Sequence, residues 1–252
     1  MITISSLGVL AVAGFLSVAN ASAQAAGLSN QKQNASVIEL YTSQGCSSCP
    51  EADQLLNQLA QRPDVIALSF PVSYWDYLGW KDTLARPENS ERQRGYARIL
   101  GDGEVFTPEV IVNGMRNCVG SNLADIEKAF KTTKPLVGKE AVPLSARLGG
   151  GRLIIDAGAA PSGSQHQKGK VWVASVLSAL TVKITRGENA GNVVTYTNVV
   201  RDLTEAGEWS GAPISYDLPL NSLSKDGDMF VVFLQTEELG PIVGATRVAG
   251  GW

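Results

Sequence analysis

A Cys-x-x-Cys-Pro turn between a strand-like and a helix-like segment constrains the fold of this chain most strongly. Residues 37–42 form a β-branched run with the length of a buried strand, and residues 52–59 repeat apolar side chains at helical spacing. Pro50 falls in the first turn of the predicted helix, where its missing N–H is tolerated. Cys46 therefore lies just before a helix N-terminus, whose unpaired N–H groups and dipole favour a thiolate.

The order of the segments that follow predicts a thioredoxin fold. A strand after the first helix gives a strand–helix–strand unit, which usually forms a parallel pair. Proline is rare inside strands, so Pro108 is expected at a special position, where thioredoxin-like proteins carry a cis-proline facing the cysteines. The predicted order is strand 65–70, helix 88–100 ended by Gly101, strand 105–112 with a Thr107-Pro108 step, an Asn113-Gly114 hairpin, strand 115–119, and a helix capped by Ser121.

After about residue 138, short alternating runs are separated by turns rich in Gly, Asn and Pro. This spacing is typical of an antiparallel sandwich or barrel. The sequence thus predicts an α/β thioredoxin-like domain at 36–135, with an aromatic-rich insertion at 71–104, followed by an all-β antiparallel sandwich-like domain at 140–252. The candidate strands are 143–148, 151–157, 171–178, 181–186, 192–201, 214–218, 229–236 and 242–248.

The N-terminal segment predicts export. Residues 1–26 contain no Asp, Glu, Lys or Arg, and the apolar run at 7–18 is too short to span a bilayer. Two small-residue cleavage sites follow, after Ala23 and after Ala25, so we interpret residues 1–25 as a signal peptide. A buried N-terminal helix is the alternative. The expected location is the periplasm or the exterior, with no integral membrane segment after cleavage.

The charge balance gives no indication of a nucleic-acid partner. The chain has 21 basic and 24 acidic residues and a net charge of −3. Nucleic-acid-binding proteins usually carry a basic patch or stripe, which this composition does not predict. A basic amphipathic segment that would lie on a membrane surface is not evident either.

Chemistry is predicted at the two cysteines of the turn. Cys46 is the expected nucleophile and Cys49 the thiol that resolves a mixed disulfide, with Thr107 and Pro108 positioning the substrate. A structural disulfide is an alternative use of the same pair. A zinc site would need two more ligands, for which only Cys118 and the single histidine are candidates, and two thiolates could also hold copper(I). We expect no metal and no cofactor.

An aromatic cluster in the insertion gives a second candidate site. Tyr74, Trp75, Asp76 and Trp80 lie within seven positions and could line a substrate groove. Aromatic side chains in such a segment more often pack as a core under the insertion. Both interpretations stay open from the sequence.

Four stretches of this chain resemble a bacterial family of secreted thioredoxin-like proteins of unknown function. The resemblance implies the fold and export but no established substrate. Within it, Glu188, Asn189, Asn198 and Arg201 could bind a ligand or dock the second domain, although a structural turn is the simpler interpretation. Family members usually carry a histidine and an aspartate where this chain has Pro71 and Ser73. The stretches are 39–50, 74–82, 186–191 and 196–201.

Two functions follow as hypotheses. The first is an exported thiol–disulfide oxidoreductase that acts through Cys46 and Cys49 on a protein or small-molecule thiol or disulfide. The second is a redox-inert thioredoxin-fold binding module, in which the same two cysteines form a structural disulfide. The sequence does not indicate the direction of the redox reaction or the oligomeric state.

Overall fold

The first part of the chain alternates strands with helices. The computed structural model describes residues 35–101 and 103–250, so the predicted signal peptide at 1–25 lies outside the described residues. A short 3-10 turn, Asp76–Leu78, precedes the second helix. The elements are β1 (Ser36–Thr42), α1 (Cys49–Ala60), β2 (Val65–Pro71), α2 (Pro87–Leu100), β3 (Glu109–Val112), β4 (Arg116–Val119) and α3 (Leu123–Lys139).

The second part of the described chain is built of strands. Candidate strands 171–178 and 181–186 are one continuous strand in the structure, because the chain does not turn between them. A second 3-10 turn, Leu220–Ser222, precedes the last two strands. The strands are β5 (Leu144–Gly149), β6 (Arg152–Ala157), β7 (Gly169–Lys183), β8 (Val193–Trp209), β9 (Ile214–Pro219), β10 (Met229–Thr236) and β11 (Ile242–Ala249).

One mixed sheet of eight strands runs through both parts, in the order β11-β10-β7-β8-β2-β1-β3-β4. Strands β1 and β2 are parallel, and β3 and β4 form an antiparallel hairpin beside β1. Strand β8 pairs with β7 along most of its length and also with β2, through Ser69 and Val199. A separate three-stranded sheet, β5-β6-β9, completes the fold.

The predicted fold class is wrong. The chain is mostly β, with a large mixed sheet and three helices among the described residues, and it does not divide into a thioredoxin-like α/β domain and a separate β sandwich. The physical reason is strand β8, which is 17 residues long. Its length lets it continue past its hairpin contacts and hydrogen-bond to β2, so the C-terminal strands extend the first sheet.

Apolar side chains cover both faces of the sheet. Helices α1 and α3 pack on one face, where Leu40, Leu56 and Phe130 are buried. Helix α2 packs on the other face with buried side chains of the sheet, including Phe70 of β2 and Phe233 of β10. A third core fills the space between the large sheet and the small sheet. Burial of this apolar surface is the main stabilising term.

A buried ion pair between α2 and β1 is also hydrogen-bonded to the C-terminal part of the chain. The guanidinium of Arg92 in α2 donates to both carboxylate oxygens of Glu39 in β1, at 2.6 and 3.0 Å. It also donates to the side-chain oxygen of Gln235 in β10, at 2.9 Å. The side chains of Arg92 and Glu39 are 7% and 1% exposed, so each charge depends on the other for compensation.

Two local predictions need correction. Strand β3 begins after Pro108 and not at residue 105. The expected cis-proline is present, since the Thr107-Pro108 peptide bond is cis. The cap of α3 is Asn122 and not Ser121, since the Asn122 side chain accepts a hydrogen bond from the backbone N–H of Asp125 at 3.2 Å.

Candidate functional site

Cys46 and Cys49 form a disulfide at the start of α1, with their Cα atoms 5.4 Å apart. Cys49 is the first residue of the helix, so the strand–turn–helix order places Cys46 immediately upstream. Cys46 is 4% exposed and Cys49 is fully buried, which makes Cys46 the more accessible of the two. The hydroxyl of the exposed Ser48 lies 3.4 Å from the Cys46 sulfur and is a potential donor to a thiolate there.

A buried carboxyl group lies one helical turn after Cys49. Asp53 is 3% exposed and faces the core, because it falls in the apolar stripe of α1. Burial, together with the smaller effect of the Asp82 charge, raises its pKa from 3.8 to about 8. The Thr42 hydroxyl is beside it, but neither Thr42 Oγ1 nor Asp53 Oδ1 has a hydrogen-bond partner among the described residues. The carboxyl is therefore protonated at neutral pH.

Trp75 connects the cysteine loop to the Thr107-Pro108 step. Its indole N–H donates to the Thr107 hydroxyl at 2.7 Å. Its backbone and Cβ pack against Gly45, where an added Cβ would lie 3.1 Å from the Trp75 Cβ. Tyr77, which is 76% exposed, stacks on Trp75 with ring centroids 6.3 Å apart. An aromatic surface formed by Trp75 and Tyr77 thus lies between the cysteine loop and the Thr107-Pro108 step.

Gln44 holds the cysteine loop from the side of the insertion. Its side-chain oxygen accepts a hydrogen bond from the Trp80 indole N–H at 2.7 Å. Its backbone N–H donates to the carboxylate of Asp82, also at 2.7 Å. Asp82 is fixed in turn, because it accepts hydrogen bonds from the backbone N–H groups of Leu84 and Ala85. The insertion therefore fixes the strand end that leads into the disulfide.

Asn189 holds the same loop from the C-terminal part of the chain. It lies on the turn between β7 and β8 and is 5% exposed. Its amide donates to the backbone carbonyl oxygen of Gln44 at 3.0 Å and to that of Cys46 at 2.8 Å. Two segments that are distant in sequence thus meet on one loop.

The remaining predicted site residues do not all meet at the cysteine loop: Asn198 contacts β2, and Arg201 contacts the insertion. Glu188 is exposed on the turn that carries Asn189. In the insertion, the Tyr74 hydroxyl donates to Gln93 Oε1 at 3.1 Å, and Asp76 Oδ1 accepts a hydrogen bond from the backbone N–H of Asp82 at 3.0 Å. On β8, the Asn198 amide donates to the Ala67 carbonyl at 2.9 Å. Arg201 on the same strand donates to the Leu84 carbonyl at 3.1 Å.

The third cysteine has a different environment. Cys118 is a free, half-buried thiol on β4. Burial, with the nearby charges of Asp125 and Glu109, raises its pKa to about 11, so it is protonated at neutral pH. Within residues 35–101 and 103–250, no group of three or more His, Cys, Asp or Glu side chains is arranged to hold a metal ion. In the same ranges, no helix is long and apolar enough to cross a membrane.

Three residues of the site were missed by the sequence analysis. Asp53 carried a signal, because a carboxylate four positions after Cys49 and three before Leu56 lies in the predicted apolar stripe. Gln44 and Asp82 had no comparable signal in the sequence. Their roles depend on how the insertion folds back over the loop, which no local pattern indicates.

Comparison with known proteins identifies the family. A family model described as "Protein of unknown function (DUF1223)" matches residues 37–235. The chain belongs to this family. The predicted resemblance to a bacterial family of unknown function is therefore confirmed, whereas its thioredoxin-like character is not.

Two solved structures with a similar fold differ in how similar their sequences are to this chain. An X-ray crystal structure of an Agrobacterium tumefaciens protein, determined by a structural genomics consortium, is 36% identical and has a TM-score of 0.77, covering 88% of this chain and 96% of that one. HBP35 of Porphyromonas gingivalis is 12% identical and has a TM-score of 0.57, with 87% of this chain and 76% of that one aligned. At this identity the likeness shows only the fold. A search of curated proteins found no match.

Proposed function

We propose that this DUF1223 protein is an exported thiol–disulfide oxidoreductase that acts through Cys46 and Cys49 on protein or small-molecule thiols. The observation that carries the proposal is the disulfide at the N-terminus of α1, with the less buried of the two cysteines, Cys46, upstream. A thiolate released at Cys46 would be stabilised by the helix N-terminus and by the Ser48 hydroxyl. Export rests on the predicted signal peptide at 1–25.

In the disulfide form the site would oxidise a substrate dithiol. A substrate thiolate attacks the Cys46 sulfur, the Cys46–Cys49 bond breaks, and the Cys49 thiolate leaves with the electron pair. A second substrate thiolate then attacks the substrate sulfur of the mixed disulfide and releases Cys46. The substrate loses two electrons and gains a disulfide, and the protein becomes a dithiol.

Asp53 is the buried proton source for this reaction. The Cys49 thiolate is buried when it leaves, so it needs a proton that does not come directly from bulk water. Asp53 lies four residues along α1, which places it on the same helix face. Its raised pKa keeps it protonated until pH is about 8, close to the range in which thiols titrate.

The aromatic surface of Trp75 and Tyr77 supports binding of a polypeptide substrate. Trp75 holds Thr107 through a hydrogen bond. Pro108 has no backbone N–H that needs an acceptor, so an extended substrate chain could lie beside this step. The exposed Tyr77 ring adds apolar contact at the edge of the same surface.

A redox-inert binding module is the second candidate, and one observation favours it. Both cysteines are buried, and the loop around them is hydrogen-bonded on two sides. These are properties of a structural disulfide, which resists reduction by cellular thiols.

Trapping of a mixed disulfide separates the two functions. Cys118 is replaced by Ser throughout, so that Cys49→Ala leaves Cys46 as the remaining thiol and Cys46→Ala leaves Cys49. Each variant is mixed with insulin or with glutathione disulfide, and the products are measured by mass spectrometry. The oxidoreductase proposal predicts rapid capture by Cys46 and at least about tenfold slower capture by the buried Cys49. Equal and slow capture by both would support the binding module.

A further inference from the structure

We propose that Asn189 is a positioning residue that sets the redox equilibrium of the Cys46–Cys49 pair, by holding the loop in the shape that the disulfide requires. The inference rests on the proposed function, since it concerns how readily the same two cysteines exchange electrons. Its basis is a contact between the cysteine loop and a turn that belongs to the C-terminal strands. It assigns a redox role to a residue outside the Cys-x-x-Cys segment.

The contact of Asn189 is specific in geometry and burial. One amide group donates to two backbone carbonyl oxygens, those of Gln44 and Cys46, which lie on either side of Gly45. The Cys46 carbonyl also accepts a hydrogen bond from the backbone N–H of Cys49, the first residue of α1, at 3.2 Å. The Asn189 amide and the start of the helix therefore share this acceptor. Asn189 is nearly fully buried, and loss of its amide would remove one hydrogen-bond donor from each carbonyl, with the Cys46 carbonyl keeping the Cys49 N–H.

The turn that carries Asn189 is itself fixed against the insertion. Gly187 has φ of +74°, and a Cβ at this position would lie 3.1 Å from the Cβ of Trp80. Trp80 in turn donates to the Gln44 side chain. The turn, the insertion and the cysteine loop therefore form one packed unit, and the loop is held both by the turn and by the insertion.

This arrangement favours the oxidised state. Reduction replaces a covalent S–S bond with two separate sulfur atoms, so the atoms between Cys46 and Cys49 must rearrange. Hydrogen bonds that fit the disulfide shape of the loop are weakened by that rearrangement. Because they contribute more in the oxidised form than in the reduced form, they move the equilibrium towards the disulfide.

The test compares two asparagine substitutions. Asn189→Ala removes the donor to the cysteine loop. Asn198→Gly is the matched control, because the Asn198 amide donates to the Ala67 carbonyl, away from the loop, and glycine suits the Asn198 φ of +50°. The full chain is equilibrated in glutathione buffers, and the fraction oxidised is measured by thiol alkylation and mass spectrometry. Asn189→Ala should shift the disulfide–dithiol equilibrium roughly fivefold towards the dithiol, and Asn198→Gly should not.

Stability measurements separate positioning from a structural role. Urea unfolding of the oxidised and reduced forms of each variant should show that Asn189→Ala destabilises the oxidised form more. Trp80→Phe keeps an aromatic side chain, although a smaller one, but removes the donor to Gln44, and it should shift the equilibrium in the same direction. Equal destabilisation of both forms, with an unchanged glutathione equilibrium, would overturn the inference. A disulfide that no glutathione buffer reduces, in the unsubstituted protein, would instead overturn the proposed function.

Discussion

The side-chain amide of Asn189 lies 2.8 Å from the carbonyl oxygen of Cys46, although 143 residues separate the two along the chain. This bond places the turn between β7 and β8 directly on the Cys-x-x-Cys loop. The C-terminal strands therefore contribute to the disulfide site as well as to the sheet. Any activity of the disulfide is expected to depend on both parts of the chain.

The stability of the protein should fall as pH rises because of Asp53. Its pKa is raised from 3.8 in an unfolded chain to about 8 in the folded protein, so between these values the folded state binds a proton that the unfolded state has released. The stabilisation is complete below about pH 4 and is lost as pH approaches 8, with a slope of up to about 1.4 kcal/mol per pH unit. Asp53→Asn should remove this slope in urea unfolding of the oxidised protein.

Asp64 provides a control of opposite sign. Hydrogen bonds from Arg62 and Lys134 lower its pKa to about 2, so its contribution is present above pH 4 and is lost as pH falls towards 2. Asp64→Asn should lower stability above pH 4, remove the slope in the acid range, and leave the slope between pH 5 and 8 unchanged. An Asp53→Asn variant that keeps the slope of the unsubstituted protein between pH 5 and 8 would contradict the assignment.

Loss of Arg92 should strongly destabilise the fold. Arg92→Met leaves the Glu39 carboxylate buried without its counter-charge, which is expected to cost about 3–5 kcal/mol. Adding Glu39→Gln to that variant should recover part of the loss, because the uncompensated charge is removed. Arg94→Met, at an exposed pair with Glu91, should change stability by less than about 0.5 kcal/mol. Comparable losses at Arg92 and Arg94, measured by urea unfolding, would rule out this view of the ion pair.

Gly114 should be far less replaceable than Gly103. Both have φ of +68°, but a Cβ on Gly114 would lie 2.3 Å from the carbonyl oxygen of Gly240, whereas a Cβ on Gly103 would meet nothing within 4 Å. Gly103→Ala is therefore expected to cost about 1 kcal/mol from backbone conformation alone. Gly114→Ala should cost about 1–3 kcal/mol more, because the turn between β10 and β11 must move. Equal thermal shifts for the two variants would show that the turns do not pack together.

Tyr77 should matter for a polypeptide substrate and not for stability. Its ring is exposed, so Tyr77→Ala should change the free energy of unfolding by less than about 0.5 kcal/mol. Oxidation of a dithiol peptide should slow about fivefold in kcat/KM if the ring contributes about 1 kcal/mol of aromatic contact. Oxidation of glutathione should be unchanged. Leu136→Ala, at an exposed site on α3, is the control, and identical peptide kinetics for all three proteins would exclude the aromatic surface from binding.

Local patterns predicted individual elements well and their assembly poorly. The run at 37–42, the helix that opens at Pro50 and the turn at Asn113-Gly114 each carry a strong local signal, and each has the predicted conformation. The pairing of β8 with β2 carries no such signal. It joins residues 69 and 199 through backbone groups, and any strand of suitable length can form backbone pairs.

The same distinction applies to the site. Cys46 and Cys49 are recognisable because their spacing fits one helical turn, and Asp53 is recognisable as a carboxylate within an apolar stripe. Asn189 was singled out in the sequence through a resemblance, without a contact. Its position on the Cys46 carbonyl follows from the long β7–β8 hairpin, whose turn is carried to the loop by the sheet.

The reduction potential of the Cys46–Cys49 disulfide tests the central claim most directly. The unsubstituted protein is equilibrated over a series of glutathione ratios, and the oxidised fraction is read by alkylation and mass spectrometry. An oxidoreductase site should titrate between about −120 and −270 mV, the range of known dithiol oxidoreductases. A potential below about −300 mV would contradict the account and identify the disulfide as structural.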